Sequence, residues 1–186
     1  MPLDETAEPI RFIHRDGQEG AGSGVAFEDQ LVALLPRLRR FAHALTRSPA
    51  DADDLCQAAI ERALKARDQW EPGTRLDSWM YRIMRNSWID TARARSRYQQ
   101  TFVGEEAGLA VGDAGDRAVE AVVELGQLGK AMQKLPDEQR EAVALVLIEG
   151  LAYKDAAAIL DIPMGTLTSR LVRGRTALME MLGEAA

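Results

Sequence analysis

Four polar side chains near the end of the sequence are of types that bind nucleic acid. Between positions 160 and 178 they recur at helical spacing: Thr166, Ser169, Arg170 and Arg173. The opposite side of the same helix is apolar and carries Leu167, Leu171 and Leu178. Arginine donates a fork of hydrogen bonds to guanine or phosphate, and a small hydroxyl bonds phosphate without blocking a groove. In a chain with a net charge of −6, this polar strip indicates a surface for a polyanion.

The residues around the strip have the spacing of a helix-turn-helix. A short helix with Ala156, Ala157 and Leu160 precedes the turn Asp161-Ile162-Pro163. Pro163 then falls in the first turn of the second helix, where a missing N–H costs nothing, and the start of that helix presents free N–H groups to phosphate. Gly174 is expected to allow another helix to approach closely. The alternative is a helical hairpin with an ordinary solvated face.

Two helices of opposite charge are predicted in the N-terminal half. The first is capped by Asp51, runs to about Gln69 and carries an inner stripe of Cys56, Ile60 and Leu64. Its outer face is acidic, which suits a basic protein partner or water. The second, over about 75–98, has six arginines against two aspartates and several aromatic residues. Arginine with aromatic residues is typical of surfaces that hold a strand backbone and stack unpaired bases, although at least one aromatic is expected in the core.

The whole chain reads as all-α, with two small helical domains. Its 186 residues are 46% hydrophobic and only 5% aromatic, and long β-branched runs are missing. Helices are expected from Phe27 to about 46, over 117–134, over 137–149 with a stop at Gly150, over 152–160 and from 163 onward. The predicted domains are a flexible arm at 1–26, a helical domain at 27–99, an acidic Gly-rich linker at 100–116 and a helix-turn-helix domain at 117–186.

Several function classes are disfavoured by composition. One cysteine and two distant histidines give neither a disulfide nor a metal site, and we expect no cofactor. No apolar run approaches the ~20 residues that cross a bilayer, and no signal pattern opens the chain, so we expect a cytoplasmic protein without membrane insertion. The sequence also lacks a nucleophile–base pair and a phosphate loop. An enzyme with a small-molecule substrate is therefore the weakest hypothesis.

Both halves together resemble the extracytoplasmic-function (ECF) sigma factors, the two-domain promoter-specificity subunits of bacterial RNA polymerase. FEDQLVALLPRLRRFAHALT (27–46) and ADDLCQAAIERAL (52–64) look like the helices that lead to and form the polymerase-binding surface. WEPGTRLDSWMYRIMRNSWIDTARAR (70–95) resembles the segment that reads the −10 element. LPDEQREAVALVLIEGLAYKDAAAILDIPMGTLTSRLVRGR (135–175) resembles the −35 binding domain.

The resemblance implies a role for each polar surface. Core-polymerase contacts would come from Asp51, Asp54, Leu55, Gln57 and Glu61. Contacts to the −10 element would come from Trp70, Arg75, Trp79, Arg82, Arg85, Asn86 and Arg93. Contacts to the −35 element would come from Thr166, Ser169, Arg170, Arg173 and Arg175. The implied partners are the β′ clamp and β flap of core RNA polymerase, promoter DNA and an anti-sigma factor.

A free-standing transcriptional regulator is the main alternative. It would combine the C-terminal helix-turn-helix with an N-terminal signalling domain, and it would need a dimer surface or a ligand pocket. It leaves the acidic helix and the arginine- and tryptophan-rich helix without a purpose.

Overall fold

The computed structural model describes residues 26–101 and 126–183, and all regular secondary structure within these two ranges is helical. The helices are α1 (Phe27–Leu45), α2 (Pro49–Lys65), a 3-10 turn (Arg67–Gln69), α3 (Leu76–Thr101), α4 (126–134), α5 (Asp137–Val143), a π-helical turn (Ala144–Ile148), α6 (Tyr153–Leu160) and α7 (Met164–Gly183). The all-α prediction is confirmed. The predicted arm lies outside the described residues except for Ala26. The predicted linker does so except for its first two residues, which continue α3.

The start of α2 differs from the sequence prediction. The cap is Ser48, whose Oγ accepts a hydrogen bond from the backbone N–H of Asp51 at 3.1 Å, and Pro49 is the first helical residue. Asp51 as the cap was therefore wrong. Its carboxylate lies in the first turn, where a negative charge is favourable beside the positive end of the helix dipole.

The N-terminal helices α1, α2 and α3 pack on one another around large apolar side chains. Phe41 of α1 meets Tyr81 of α3 edge-on, with 4.9 Å between ring centroids, and both are fully buried. Cys56 is buried as expected, but Leu64 is 44% exposed, so the predicted inner stripe was wrong at its end. Eight residues advance a helix by about 80° beyond two full turns, which rotates Leu64 away from Cys56. Ala59 and Ala63 are buried instead.

The buried side chains of the C-terminal helices α4 to α7 belong to the same hydrophobic cluster as those of α1 to α3. Gly150 has φ +68° and ends the helical run where the sequence predicted a stop, but residues 144–148 form a π-helical turn and not the expected α-helix. The turn between α6 and α7 lies at Asp161, which has φ +55°. Aspartate tolerates this left-handed conformation better than most residues.

Close packing at Gly174 holds α7 on α5. A Cβ atom at this position would lie 2.9 Å from Val143 Cγ2 and 3.3 Å from Gln139 Cβ. This agrees with the close approach predicted at Gly174.

The two helical groups are packed together. α1 contacts α5 and the π-helical turn, and α3 contacts α6. Arg140 of α5 is buried beside this junction and donates hydrogen bonds to the backbone oxygens of Leu135 and, across the junction, Leu45, at 2.8 and 3.2 Å. The arginine thus joins the end of α1 to the start of the C-terminal group.

Candidate functional site

The polar strip of α7 lies on the surface as predicted. Leu167, Leu171 and Leu178 are buried beneath it, whereas Ser169 and Arg173 are exposed. The Arg173 guanidinium donates to Ser169, with 3.0 Å from Nη2 to Oγ and 3.3 Å from Nε to the backbone oxygen. These local bonds orient the guanidinium on the surface of the helix and leave it accessible to a ligand.

Arg170 has a different environment from Arg173. Its side chain is only 17% exposed, and its Nη2 lies 3.1 Å from Glu138 Oε2 of α5. Residues 166–175 contain no acid, but the fold supplies one, Glu138, from about thirty residues earlier. Thr166, at the start of the strip, is half-buried, whereas Arg175, just beyond its end, is exposed to solvent.

The helix-turn-helix geometry positions the first turn of α7. The Ile162 N–H donates to the Ala157 oxygen at 3.1 Å, which closes the end of α6, and the Thr166 and Leu167 N–H groups donate to the Pro163 oxygen at 3.0 and 3.1 Å. These bonds fix the angle at which α7 leaves the turn. The exposed side chains of α7 are therefore presented on a rigid element.

The acidic face of α2 is accessible at three of its five predicted residues. Asp54, Gln57 and Glu61 are exposed, and Gln57 Nε2 donates to Glu61 Oε1 at 3.1 Å. Asp51 is half-buried, and Leu55 is 6% exposed because it packs in the bundle. Leu55 also borders a cleft of about 440 Å³ between the start of α2, the middle of α3 and α5.

Two tryptophans lie beside the N-terminal end of α3. The Trp70 and Trp79 rings pack on Phe27, with centroid distances of 5.4 and 6.1 Å, and both are half-buried. Trp70 Nε1 is buried and has no hydrogen-bond partner within the described part of the chain. The expectation of a core aromatic is confirmed by Tyr81, which is fully buried.

Three arginines of this region contact the C-terminal helices. Arg75 bonds Asp77 at 2.9 Å and also pairs with Asp155 of α6, and Arg82 donates to the Ala158 backbone oxygen. Arg85 Nε lies 2.8 Å from Glu141 Oε1 of α5. Asn86 and Arg93, from the same predicted set, are exposed.

Burial and charge shift the pKa values of these groups. Desolvation lowers the pKa of the Arg82 guanidinium and raises the pKa of the Glu141 carboxyl, although Arg85 opposes the latter shift. Burial acts to raise the pKa of the Asp77 carboxyl, but the hydrogen bond and charge of Arg75 outweigh burial and hold that pKa below its usual range. The three arginines Arg75, Arg82 and Arg85 are therefore partly shielded from water, and each has a hydrogen-bond or ion-pair partner nearby.

A buried acid that sequence reasoning missed lies at the centre of the junction between the two groups. Glu149 accepts hydrogen bonds from Arg37 and Arg40 of α1 and from the Tyr81 hydroxyl. Periodicity gives no signal for it, because Glu149 follows the π-helical turn and reads as an ordinary polar helix end. A glutamate next to a helix-stopping glycine is common on protein surfaces.

The described residues contain no group of three or more histidine, cysteine, aspartate or glutamate side chains that could hold a metal ion. Among the described helices, none is both long and apolar enough to span a membrane.

Comparison with known proteins yields matches to both helical groups. The family model of Sigma-70 region 2 matches residues 31–98, and that of Sigma-70, region 4 matches residues 125–178. The ECF RNA polymerase sigma factor EcfG of Rhodopseudomonas palustris (strain TIE-1) is 36% identical over 157 residues, which cover 84% of this chain and 85% of the relative. RNA polymerase sigma factor CarQ of Myxococcus xanthus is 31% identical over 163 residues, which cover 88% of this chain and 92% of the relative. Among solved structures, sigma factor RpoE in complex with the anti-sigma factor NepR from Bartonella quintana superposes with a TM-score of 0.73 at 33% identity, covering 84% of this chain and 96% of that chain.

Proposed function

Because this chain belongs to the ECF family of RNA polymerase sigma factors, we propose that it directs bacterial core RNA polymerase to a set of promoters. The polymerase performs the chemistry, and this chain supplies sequence recognition and catalyses no reaction itself. It acts in the cytoplasm, where the polymerase meets the chromosome. The observation that carries the proposal is the placement of two polar surfaces of opposite charge, on α2 and α7, in the two regions that match region 2 and region 4.

The C-terminal domain binds the −35 element through α7. The exposed guanidiniums of Arg173 and Arg175 reach base edges or phosphates, and Ser169 bonds the backbone. Thr166 and Arg170 lie at the partly buried side of this surface. Arg170 exchanges its bond to Glu138 for a phosphate, an exchange of small cost because both arrangements keep the guanidinium paired and Glu138 is 68% exposed.

The N-terminal domain binds core polymerase through the acidic face of α2. Asp54, Gln57 and Glu61 face solvent and suit a basic surface on the β′ clamp, with Asp51 at the edge of this face. Leu55 contributes from beneath by fixing the helix in its bundle. The C-terminal domain meets the β flap in the same complex.

The −10 element is held on α3 and the turn before it. Arg75, Arg82, Arg85, Asn86 and Arg93 supply donors for the strand backbone. Trp70 and Trp79, which line one side of this region, stack on or enclose an unpaired base of the opened element. Capture of that base offsets part of the cost of unstacking the DNA.

An anti-sigma factor regulates the chain. The support is the relative from Bartonella quintana, a sigma factor that is 33% identical to this chain and is in complex with an anti-sigma factor. The exposed acidic face of α2 and the cleft beside Leu55 form a surface that such a regulator would have to cover to block polymerase binding.

Transcription from a promoter library tests the proposal. The purified chain is mixed with bacterial core RNA polymerase and a library of promoter fragments, and the run-off transcripts are sequenced. We expect initiation from templates that share spaced −35 and −10 elements, and no such selection with core polymerase alone. The E61R variant is expected to lose core binding, whereas R39A, which changes an exposed arginine of α1, serves as the matched surface control. Duplex binding by the chain alone without any binding to core polymerase would contradict the proposal and favour the free-standing regulator.

A further inference from the structure

The side chain of Glu149 is fully enclosed between the two domains. Arg40 holds it with two hydrogen bonds, 2.9 Å from Nε to Oε1 and 3.0 Å from Nη2 to Oε2. Arg37 Nε donates to Oε2 at 3.3 Å, and the Tyr81 hydroxyl donates to the same oxygen at 2.6 Å. All three of these partners belong to the N-terminal domain, while Glu149 belongs to the C-terminal domain.

Other polar contacts also cross this junction, among them the bond from buried Arg140 to the Leu45 oxygen. The carboxylates of the Arg75–Asp155 and Arg85–Glu141 pairs are 22% and 5% exposed, whereas the Glu149 side chain is 0% exposed and has three side-chain partners in the other domain. Exposed pairs contribute little because water screens them, whereas a carboxylate that is buried in the closed form is compensated there only by its partners, so a change at this position disrupts closure strongly. Of these three carboxylates, Glu149 is the one that loses the most side-chain partners when the domains part.

The junction covers part of the surface that the proposed function assigns to DNA. Arg75, Arg82 and Arg85 all bond acceptors of the C-terminal domain, which are Asp155, the Ala158 oxygen and Glu141. A strand backbone needs the same guanidinium donors. Closure of the junction and binding of DNA to this part of α3 are thus mutually exclusive.

We propose that Glu149 is an intramolecular latch: it holds the two domains closed in the free chain, and its release uncovers the −10 arginines. The identity of the covered surface rests on the proposed function, whereas the latch itself does not. Closure lowers the apparent affinity of α3 for a DNA strand by the fraction of molecules that are open. Conversely, polymerase and promoter, by binding the open form, draw the equilibrium away from the latched one.

The first test measures closure in the full-length free chain by small-angle X-ray scattering. Two variants weaken the latch: E149Q removes the charge, and E149K places a cation opposite Arg37 and Arg40. The matched control is E28Q, which removes a surface ion pair with Arg67 inside the N-terminal domain. Since the side-chain partners of Glu149 lie in the other domain, each domain keeps its own core, which far-UV circular dichroism checks.

We expect a compact wild type and E28Q, a larger radius of gyration for E149Q and a still larger one for E149K. A wild type as extended as E149K would overturn the latch, and so would an E149K variant as compact as the wild type.

The second test measures binding of a fluorescent 25-nucleotide mixed-sequence single strand without polymerase. We expect E149K to bind between about fivefold and a hundredfold more tightly than wild type, the range that is typical of coupled equilibria. Adding R82A to E149K should remove most of this gain. Opening without a gain in affinity would overturn the claim that closure covers a DNA surface. Failure of promoter-specific transcription with core polymerase, by contrast, would overturn the proposed function and leave the scattering result untouched.

Discussion

Two sets of arginines in this protein have the same proposed ligand and opposite surroundings. On α7, Arg173 bonds its neighbour Ser169 and faces solvent, and Arg170 pairs with Glu138 of the same domain. On α3, Arg82 and Arg85 bond acceptors supplied by the other domain. Residue types are alike in the two places, so accessibility and not composition separates them.

The difference indicates an order of events. With the proposed site assignment, the exposed face of α7 can bind duplex DNA while the chain is closed, whereas the surface on α3 becomes available only after the domains part. The proposal thereby ties opening of the −10 element to assembly with polymerase. The acidic protein with net charge −6 then has little tendency to hold single strands on its own.

The largest effect is expected from R173A. Loss of a forked contact to a base or phosphate should lower promoter affinity of the polymerase complex about tenfold to a hundredfold. In the free chain, R173A should weaken duplex binding while R82A leaves it unchanged, because Arg82 is already engaged by the C-terminal domain. Electrophoretic mobility shift with and without core polymerase measures both. Equal losses of duplex affinity for R173A and R82A in the free chain would contradict the contrast between the exposed α7 and the covered α3.

A smaller effect is expected from G174A, which tests whether the exposed face of α7 depends on the packing of α7 against α5. The added methyl would lie 2.9 Å from Val143 Cγ2, so we expect the free energy of unfolding of the C-terminal domain to fall by up to about 2 kcal/mol after the gain in helix propensity is subtracted. G165A is the matched control, because no atom lies within 4 Å of the new methyl and the helix should gain up to about 1 kcal/mol. Urea denaturation measures both changes, and stabilisation by G174A would refute the packing argument.

The Y81F variant tests the junction that covers the arginines of α3. Burial and the hydrogen bond to Glu149 raise the pKa of the Tyr81 hydroxyl. A raised pKa in the closed form means that the contribution of Tyr81 to closure is fully present below the ordinary tyrosine pKa of about 10 and is lost progressively as the pH rises from there toward the raised pKa. Y81F should cost the closed form about 1 kcal/mol at neutral pH, because Glu149 keeps its guanidinium partners.

The measurement is the radius of gyration between pH 7 and pH 11. Wild type should open more steeply than Y81F at the alkaline end, since Arg37, Asp77 and every other group near this ring are common to both chains. Identical profiles would mean that Tyr81 takes no part in closure.

The smallest effect is expected from S48A, which alters α2 and neither arginine face. Loss of the cap should destabilise the N-terminal domain by about 0.5–1 kcal/mol, and S48D should retain the stability because aspartate also accepts from the helix start. Thermal denaturation measures the change. Altered DNA binding by S48A would show that the arginine surfaces of α3 and α7 depend on the stability of α2.

Local patterns in the sequence predict much of this fold. The α6–α7 turn, the stop at Gly150 and the close approach at Gly174 follow from particular residue types: Asp161 and Gly150 tolerate a positive φ, and Gly174 has no side chain. The buried leucines of α7 follow from helical periodicity. The exposed face of α7 could be predicted for the same reason, because it depends on a single helix.

Features set by distant parts of the chain were not predictable. Glu138 pairs with Arg170 and Glu149 joins α1 only because the helices pack as they do, and no spacing along the chain encodes either contact. The cap at Ser48 was missed because serine and aspartate both favour that position. Leu64 was misplaced because a stripe with a period of four drifts around a helix with 3.6 residues per turn.

The π-helical turn at 144–148 determines the angle around the helix axis between the residues before it and those after it. Its wide hydrogen bond, from the Glu149 N–H to the Ala144 oxygen at 3.0 Å, absorbs one more residue than an α-helical bond would. Val143 before the turn therefore faces α7 at Gly174, while Glu149 after it faces the N-terminal domain. Deleting one residue from this turn would restore a regular helix and rotate the residues after it by about 100°. A chain of this family with a regular helix here would have to present its acid from another position to reach α1.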